Sequence, residues 1–296
     1  MSQDKVGFFG GKFLPLHEGH VFAINEARCR TDKLYVVLAS SEKYDRMVCK
    51  RDGIKYMPAQ ERLSWLGEVL NTHFYKKEVG IIHIEDRPED EEHDWEYGAS
   101  LIKKQIPEKL THIFSSEPEY SEHFDKHYPG VEHVIIDAKR EDYPISSTKI
   151  RKEPWLYWKW LTDGAKSFLC KKVAIVGTES CGKTTLTRLL TQKYATTSTD
   201  EVGRAYCKQY SNQLTTGLFN DIAMQHWLVQ RDMAAISNQI TFIDSDAVIT
   251  QYYLRMYLDH KASPLIEEIV KLQEYDLVLY LEPDVPWAIN SFYLGT

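Results

Sequence analysis

A chain of 296 residues with 43% hydrophobic and 27% charged side chains is long enough for two ordinary cores and is not a disordered or fibrous polymer. Its net charge of -7 excludes a protein that coats nucleic acid through a basic surface, because neutralising phosphates needs an excess of Lys and Arg. Five cysteines without a CxxC pair, a start (residues 1–5) without a basic-then-apolar leader, and no apolar run near the ~20 residues of a membrane span predict a reduced, soluble, cytoplasmic protein with neither a disulfide framework nor a zinc site.

Short apolar runs alternate with longer amphipathic stretches, the pattern of parallel α/β folds. Residues 6–10 predict a first strand and residues 18 to about 30 the helix after it. Further strands are predicted at 34–39, 81–85, 112–115 and 133–137, with helical spacing at 59–70 and 96–105. A second start falls at Lys172, with a strand at 173–176, a helix from 183 to about 194, and strands at 240–244 and 276–281. Between the two series, residues 153–171 carry Trp155, Tyr157, Trp158 and Trp160, which predicts a packed connector between domains. The boundary is placed near Ser167, giving domains 1–166 and 167–296.

The first strand runs into Gly10 and then Gly11-Lys12-Phe13-Leu14-Pro15-Leu16-His17-Glu18-Gly19-His20, which opens a helix. Glycines there let the backbone approach a phosphate, and the free N–H groups of a helix start favour an anion. His17 and His20 lie three apart on one face of the first turn and can each donate to a phosphoryl oxygen, more strongly if protonated. Adenylyl transfer needs little more, because an attacking phosphate is already ionised and alignment and charge neutralisation carry the reaction. The competing readings are two surface histidines or half of a zinc site.

The second start carries Gly177-Thr178-Glu179-Ser180-Cys181-Gly182-Lys183-Thr184-Thr185, a complete P-loop string between a strand and a helix. Its amides would nest the β-phosphate, Lys183 would reach the β- and γ-oxygens, and Thr184 would ligate Mg²⁺. Asp244, in Phe242-Ile243-Asp244-Ser245-Asp246, ends a later strand and would hold the Mg²⁺ water shell or assist an acceptor hydroxyl; the alternative is a turn residue capping the next helix.

The His17–His20 element resembles the HxGH nucleotidyltransferase superfamily, and Ile145-Ser146-Ser147-Thr148-Lys149-Ile150-Arg151 is similar to its second signature. That resemblance implies that Ser146, Ser147 and Thr148 hold the β- and γ-phosphates of ATP, with Arg151 on the leaving pyrophosphate and Gly10, Lys12 and Phe13 on the nucleotide. Over nearly the whole chain, from about Gly7 to Trp287, the sequence resembles the NadR-type proteins, which join a nicotinamide-nucleotide adenylyltransferase to a ribosylnicotinamide kinase. The strings Gln60-Glu61-Arg62-Leu63-Ser64-Trp65, Phe114-Ser115-Ser116-Glu117-Pro118-Glu119-Tyr120 and Arg140-Glu141-Asp142-Tyr143-Pro144 carry it. The resemblance implies a Rossmann-like domain followed by a P-loop α/β domain, ATP as substrate and Mg²⁺ as cofactor.

It also implies a tryptophan stacked on the nicotinamide ring, for which Trp95 is the candidate, the other reading being a core residue at a helix start. Arg46 and Arg62 are candidate phosphate binders or solvated helix charges. Glu201 and Arg204, in Asp200-Glu201-Val202-Gly203-Arg204, resemble the family's riboside-side Glu-x-x-Arg element, and also fit an i,i+3 surface ion pair. The family pattern continues past its Leu-Glu-Pro strand and a Trp into an Asp-Gly-x-Arg lid segment. Here Pro286-Trp287 leads to Ala288-Ile289-Asn290-Ser291 and no arginine follows Arg255. The expectation is a C-terminally shortened kinase unit that is weak, dead or only nucleotide-binding.

The implied reaction is adenylyl transfer from ATP to nicotinamide mononucleotide, giving NAD and pyrophosphate, with nicotinamide riboside as a second substrate and homo-oligomerisation left open. The alternatives are another phosphate acceptor, a flavin or pantetheine phosphate, and a nucleotide-sensing regulator. The DNA-binding form of regulator is disfavoured, because the first strand at Val6 leaves no room before it for a helix-turn-helix.

Overall fold

A computed structural model describes residues 4–73, 78–87, 94–178, 180–200, 202–203, 206, 214–259 and 261–284. The chain divides into two compact units, Met1–Ala165 and Lys166–Thr296. In the first, the described elements run β1 (Val6–Gly11), α1 (Glu18–Cys29), β2 (Lys33–Ser40), α2 (Glu42–Arg51), α3 (Ala59–His73), β3 (Glu78–Glu85), α4 (Trp95–Gln105), β4 (His112–Ser115), α5 (Ser121–His127), β5 (Glu132–Ile135) and α6 (Ser147–Lys152). All strand pairs are parallel, in the order β3-β2-β1-β4-β5.

Strands flanked by neighbours on both edges and helices on both faces read as continuous apolar runs. Val6, Phe8 and Phe9 of β1 and Leu34, Val36, Val37 and Leu38 of β2 are accordingly buried. Phe8, Val37, Ile82, Ile102 and Ile113 share one core, each contributing roughly 1.5–3 kcal/mol by leaving water. Gly7 allows β1 to sit tight against β4: a Cβ there would lie 2.7 Å from the Phe114 ring and 3.2 Å from the His112 carbonyl.

Order 3-2-1-4-5 places the connections from β1 and β4 on opposite sides, so a crevice opens beyond their carboxyl ends, where ligands bind in open α/β sheets. The strands and helices expected from the sequence are present, with ends displaced by up to three residues. The helix α2 was not signalled by periodicity. Only Asp45, Val48 and Cys49 of its ten residues are buried, too thin a stripe to read. The connector after α6 is ordered: Trp158 is buried and stacks on Trp155 at 5.7 Å. Trp160 meets Tyr143 edge-on, and Leu161 forms a β-bridge with His17. A helix α7 (Asp163–Leu169) follows.

The second unit contains β6 (Lys171–Gly177), α8 (Lys183–Tyr194), β7 (Thr197–Thr199), α9 (Thr216–Ala235), β8 (Ile240–Asp244), α10 (Ala247–Tyr257), α11 (Pro264–Leu272) and β9 (Leu277–Leu281). Its sheet is again parallel, in the order β7-β8-β6-β9. Central β6 therefore delivers its carboxyl end, Gly177, between β8 and β9. Among the described residues no helix is long and apolar enough to cross a membrane.

Candidate active sites

The crevice of the first unit is a cavity of about 330 Å³. Gly10, Lys12, His17 and His20 line one part of it, and Trp95, Tyr120 and Phe124 another. At Gly10 an added Cβ would meet nothing nearer than the Phe8 ring at 3.8 Å, so the backbone faces open space. Phe13 adopts φ 47°, a region a bulky residue enters only when its surroundings hold it. It is 1% exposed and packs edge-on against the His20 ring at 5.0 Å, serving as a wedge behind the histidines and not as a wall of the cavity.

The imidazoles of His17 and His20 stack, centroids 3.7 Å apart. Neither is charged: burial, with Arg140 close by, lowers His20 to about 3, and burial, His20 and Arg140 hold His17 well below 6.5. The protonated donors allowed by the sequence are thus replaced by neutral ones. His20 Nδ1 accepts the His17 backbone N–H at 3.4 Å, which leaves the ring proton on Nε2 as a donor. His17 is 1% exposed, and neither of its ring nitrogens has a hydrogen-bond partner. An orphaned buried polar group costs about 1–3 kcal/mol until a ligand satisfies it.

Lys12 Nζ is likewise buried without a hydrogen bond. Its nearest carboxylate oxygen, on Asp86, lies at 3.9 Å, and burial lowers its pKa. Trp95 opens α4, stacks on His123 at 4.3 Å and 6°, and is met edge-on by Tyr120 and Phe124. One residue of α4 further along the same wall, Gly98, has nothing within 4 Å of where a Cβ would stand.

Other sequence candidates lie outside the cavity wall. Arg62 is 0% exposed and spends its guanidinium on Asp45 at 2.6 Å and the Lys12 carbonyl at 2.7 Å. It shapes the loop that carries Lys12. Arg46 pairs with Glu42 at 2.8 Å and lies over Tyr56. Arg151 binds Asp52 at 2.7 Å, the Leu14 carbonyl at 2.8 Å and Thr148 Oγ1 at 3.2 Å. Ser146 caps α6 by accepting the Lys149 N–H, and Ser147 donates to the Pro15 carbonyl at 3.1 Å. The Ser/Thr element is thereby tied to the loop before His17. Sequence reasoning did not single out Arg140, Glu117 and Asp86 as site residues. The first two lie in strings that carry the family resemblance, but a pairing 23 residues apart leaves no local signal.

In the second unit, Gly177 takes φ 154°, Ser180 61° and Gly182 91°, positive-φ backbone of the kind a phosphate nest uses. A Cβ on Gly177 would stand 2.6 Å from the Leu281 carbonyl and 2.8 Å from Cys181 Sγ, so only glycine fits. Lys183 Nζ folds onto the Thr178 carbonyl at 2.7 Å. Thr184 Oγ1 donates to Asp244 Oδ2 at 2.6 Å, and Asp244 Oδ1 is buried without a partner. The cap of α10 is Asp246, accepting from Ile249 at 3.0 Å, so Asp244 faces the P-loop while its neighbour does the capping. Thr185 is exposed. Glu179, Glu201 and Arg204 lie outside the described residues.

A five-stranded Rossmann-type sheet with a stacked HxGH pair at its switch point, followed by a sheet whose central strand ends in a P-loop, defines a two-unit nucleotide-handling protein of the nucleotidyltransferase class. A Cytidylyltransferase-like family model matches residues 8–153 and an AAA domain model residues 172–291. The trifunctional NAD biosynthesis/regulator protein NadR of Escherichia coli (strain K12) is 32% identical over 97% of this chain and 71% of its own length. The chain belongs to the NadR family. Two crystal structures of NadR protein share its fold. One, in complex with NR, has TM-score 0.72, 23% identity and coverage of 95% of this chain and 79% of that one. The other, with NAD and AMP-PNP, has TM-score 0.70, 22% identity and coverage of 95% and 81%.

Proposed function

We propose that the first unit transfers the adenylyl group of ATP to nicotinamide mononucleotide, in the cytoplasm, releasing NAD and pyrophosphate. The observation that carries this is the pair of neutral, stacked imidazoles, His17 buried with both nitrogens unmet, in one cavity with an indole. An oxygen of the mononucleotide phosphate attacks the α-phosphorus of ATP, and the bond from that phosphorus to the bridging oxygen of pyrophosphate breaks. The attacking oxygen is already ionised, so no base is required. The His20 Nε2–H and the His17 ring donate to the α-phosphoryl oxygens as charge builds on them, and buried Lys12 supplies positive charge. The open backbone at Gly10 lets the nucleotide approach, with Phe13 holding the His20 ring. Ser146, Ser147, Thr148 and Arg151 are assigned to the β- and γ-phosphates and leaving pyrophosphate; Ser147 and Arg151 also tie down the loop before His17. Trp95, already stacked on His123 on one side, is assigned to the cationic pyridine ring.

For the second unit we propose phosphorylation of nicotinamide riboside by ATP at the loop Gly177–Thr185, with Glu201 and Arg204 toward the riboside. A hard divalent cation such as Mg²⁺ fits the oxygen donors Thr184 Oγ1 and Asp244, whose Oδ1 is buried and unpaired. Bound there, it would neutralise charge on the phosphates.

One assay tests both units: Mg-ATP with either nicotinamide mononucleotide or nicotinamide riboside, measuring NAD. NAD from the mononucleotide supports the first assignment, and its absence with pure protein sinks it. NAD from the riboside as well supports the second. NAD from the mononucleotide alone removes it.

A further inference from the structure

Among the residues lining the cavity are an arginine and a glutamate paired with each other. Arg140 stands at φ 52° on a turn built around Asp137, whose carboxylate accepts the N–H groups of Glu141 at 2.7 Å, Asp142 at 3.4 Å and Tyr143 at 3.1 Å. The Arg140 N–H closes the turn on the Asp137 carbonyl at 2.8 Å. This rigid turn delivers the guanidinium to the cavity wall, near enough to both imidazoles to disfavour their protonation. There Nη1 donates to the Ile145 carbonyl at 2.7 Å and Nη2 to Glu117 Oε1 at 2.5 Å.

Glu117 comes from the loop just after β4, the strand paired with β5, and Ser115 braces its backbone: the Glu117 N–H donates to Ser115 Oγ, and that hydroxyl donates to the Glu117 carbonyl. Burial raises its carboxyl pKa, so this carboxylate is not in a comfortable place. Both side chains are about a third exposed, 31% and 34%, and therefore reachable by a ligand. A carboxylate and a phosphate present the same pair of acceptor oxygens to a guanidinium, and the phosphate carries more charge.

We propose that Glu117 is a placeholder for a substrate phosphate, which displaces it from Arg140 and is then held between the guanidinium and the His17–His20 pair. The inference rests on the adenylyl-transfer reading and adds a binding residue and its competitor to it. Glu117 keeps the guanidinium oriented until the phosphate arrives and sets a threshold that weakly charged anions do not pass. Removing its charge tightens phosphate binding, whereas removing Arg140 abolishes the contact altogether.

The test uses the full chain with Glu117→Gln, Arg140→Gln and the double variant. It measures calorimetric affinity for nicotinamide mononucleotide and KM for the mononucleotide and for ATP. A charge-assisted hydrogen bond of ~1.5 kcal/mol corresponds to roughly tenfold in affinity. Glu117→Gln is expected to tighten phosphate binding several-fold, up to about that tenfold. Arg140→Gln is expected to weaken it about tenfold or more, and Glu117→Gln should give no gain in the Arg140→Gln background.

The parameter that moves identifies the phosphate: KM for the mononucleotide marks the acceptor phosphate, and KM for ATP the α-phosphate of the donor. Affinity for nicotinamide riboside, which lacks a phosphate, should not respond to Glu117→Gln. A damaged fold cannot imitate tightening. Weaker binding in Glu117→Gln, a gain that persists without Arg140, or no shift for either substrate overturns the proposal. Tight binding by wild-type protein that forms no NAD would instead sink the reaction and leave the ion-pair result to be judged on affinity alone.

Discussion

Two imidazoles stacked at 3.7 Å beside a guanidinium cannot readily take up protons, and this has a measurable consequence for the fold. In the unfolded chain these rings protonate as pH falls through about 6.5, whereas folded His20 resists until about 3 and folded His17 resists as well. The unfolded state therefore gains protons first. Stability that is fully present above pH 6.5 is lost progressively as pH falls toward 3. The loss approaches about 1.4 kcal/mol per pH unit for each histidine held fully neutral. We expect chemical denaturation between pH 7 and pH 4 to show this acid limb, and His20→Asn to make it shallower. His226, lowered to about 4 by burial, keeps some slope in the variant. An identical slope in wild type and His20→Asn would mean that the cavity admits enough water to let the ring protonate.

At the scale of elements, the end of β8 assigns two aspartates separate tasks. Asp244 meets Thr184 of α8, while Asp246 caps α10 and accepts a hydrogen bond from Tyr275 Oη at 3.0 Å. Asp246→Ala removes a cap worth ~1 kcal/mol and strands a half-buried phenol, so a loss of roughly 1–3 kcal/mol is expected in urea denaturation. Asp244→Asn preserves the shape and is expected to leave stability within about 1 kcal/mol while riboside phosphorylation falls. If Asp244→Asn proves the more destabilising of the two, its carboxylate is a structural strut and not a phosphoryl-transfer group.

The same two residues show what was legible in the sequence. The strand, the P-loop and the string Phe242–Asp246 could be read because apolar runs and glycine spacing are local. Which carboxylate capped the helix could not, because that depends on the register that sets Asp244 beside Ile175. In the first unit Trp95 was a candidate only through the family resemblance, whereas the HxGH turn was legible for similar reasons. The fates of Arg62, buried on Asp45, and Arg151, buried on Asp52, were not. An arginine whose partner lies 17 or 99 residues away looks in sequence like any other surface cation.

At the scale of the whole chain, two parallel sheets each end their central strand in a phosphate-type loop, and each unit carries its own core. Separate cores and separate loops lead us to expect that a substitution in one phosphate loop disables its own site and spares the other. The chemistry orders them, since the riboside must gain a phosphate before it can accept an adenylyl group. Lys183→Ala is therefore expected to remove NAD formation from the riboside and to spare formation from the mononucleotide. His17→Ala is expected to cut NAD formation from either substrate by roughly a hundredfold, the scale of losing one preorganised donor to a phosphoryl group. Given the riboside, the His17→Ala protein should accumulate the mononucleotide, which chromatography of the reaction mixture resolves. If Lys183→Ala also abolished NAD formation from the mononucleotide, the two units could not be independent stations. The P-loop would then have to serve the adenylyl transfer itself, by supplying or sensing its nucleotide.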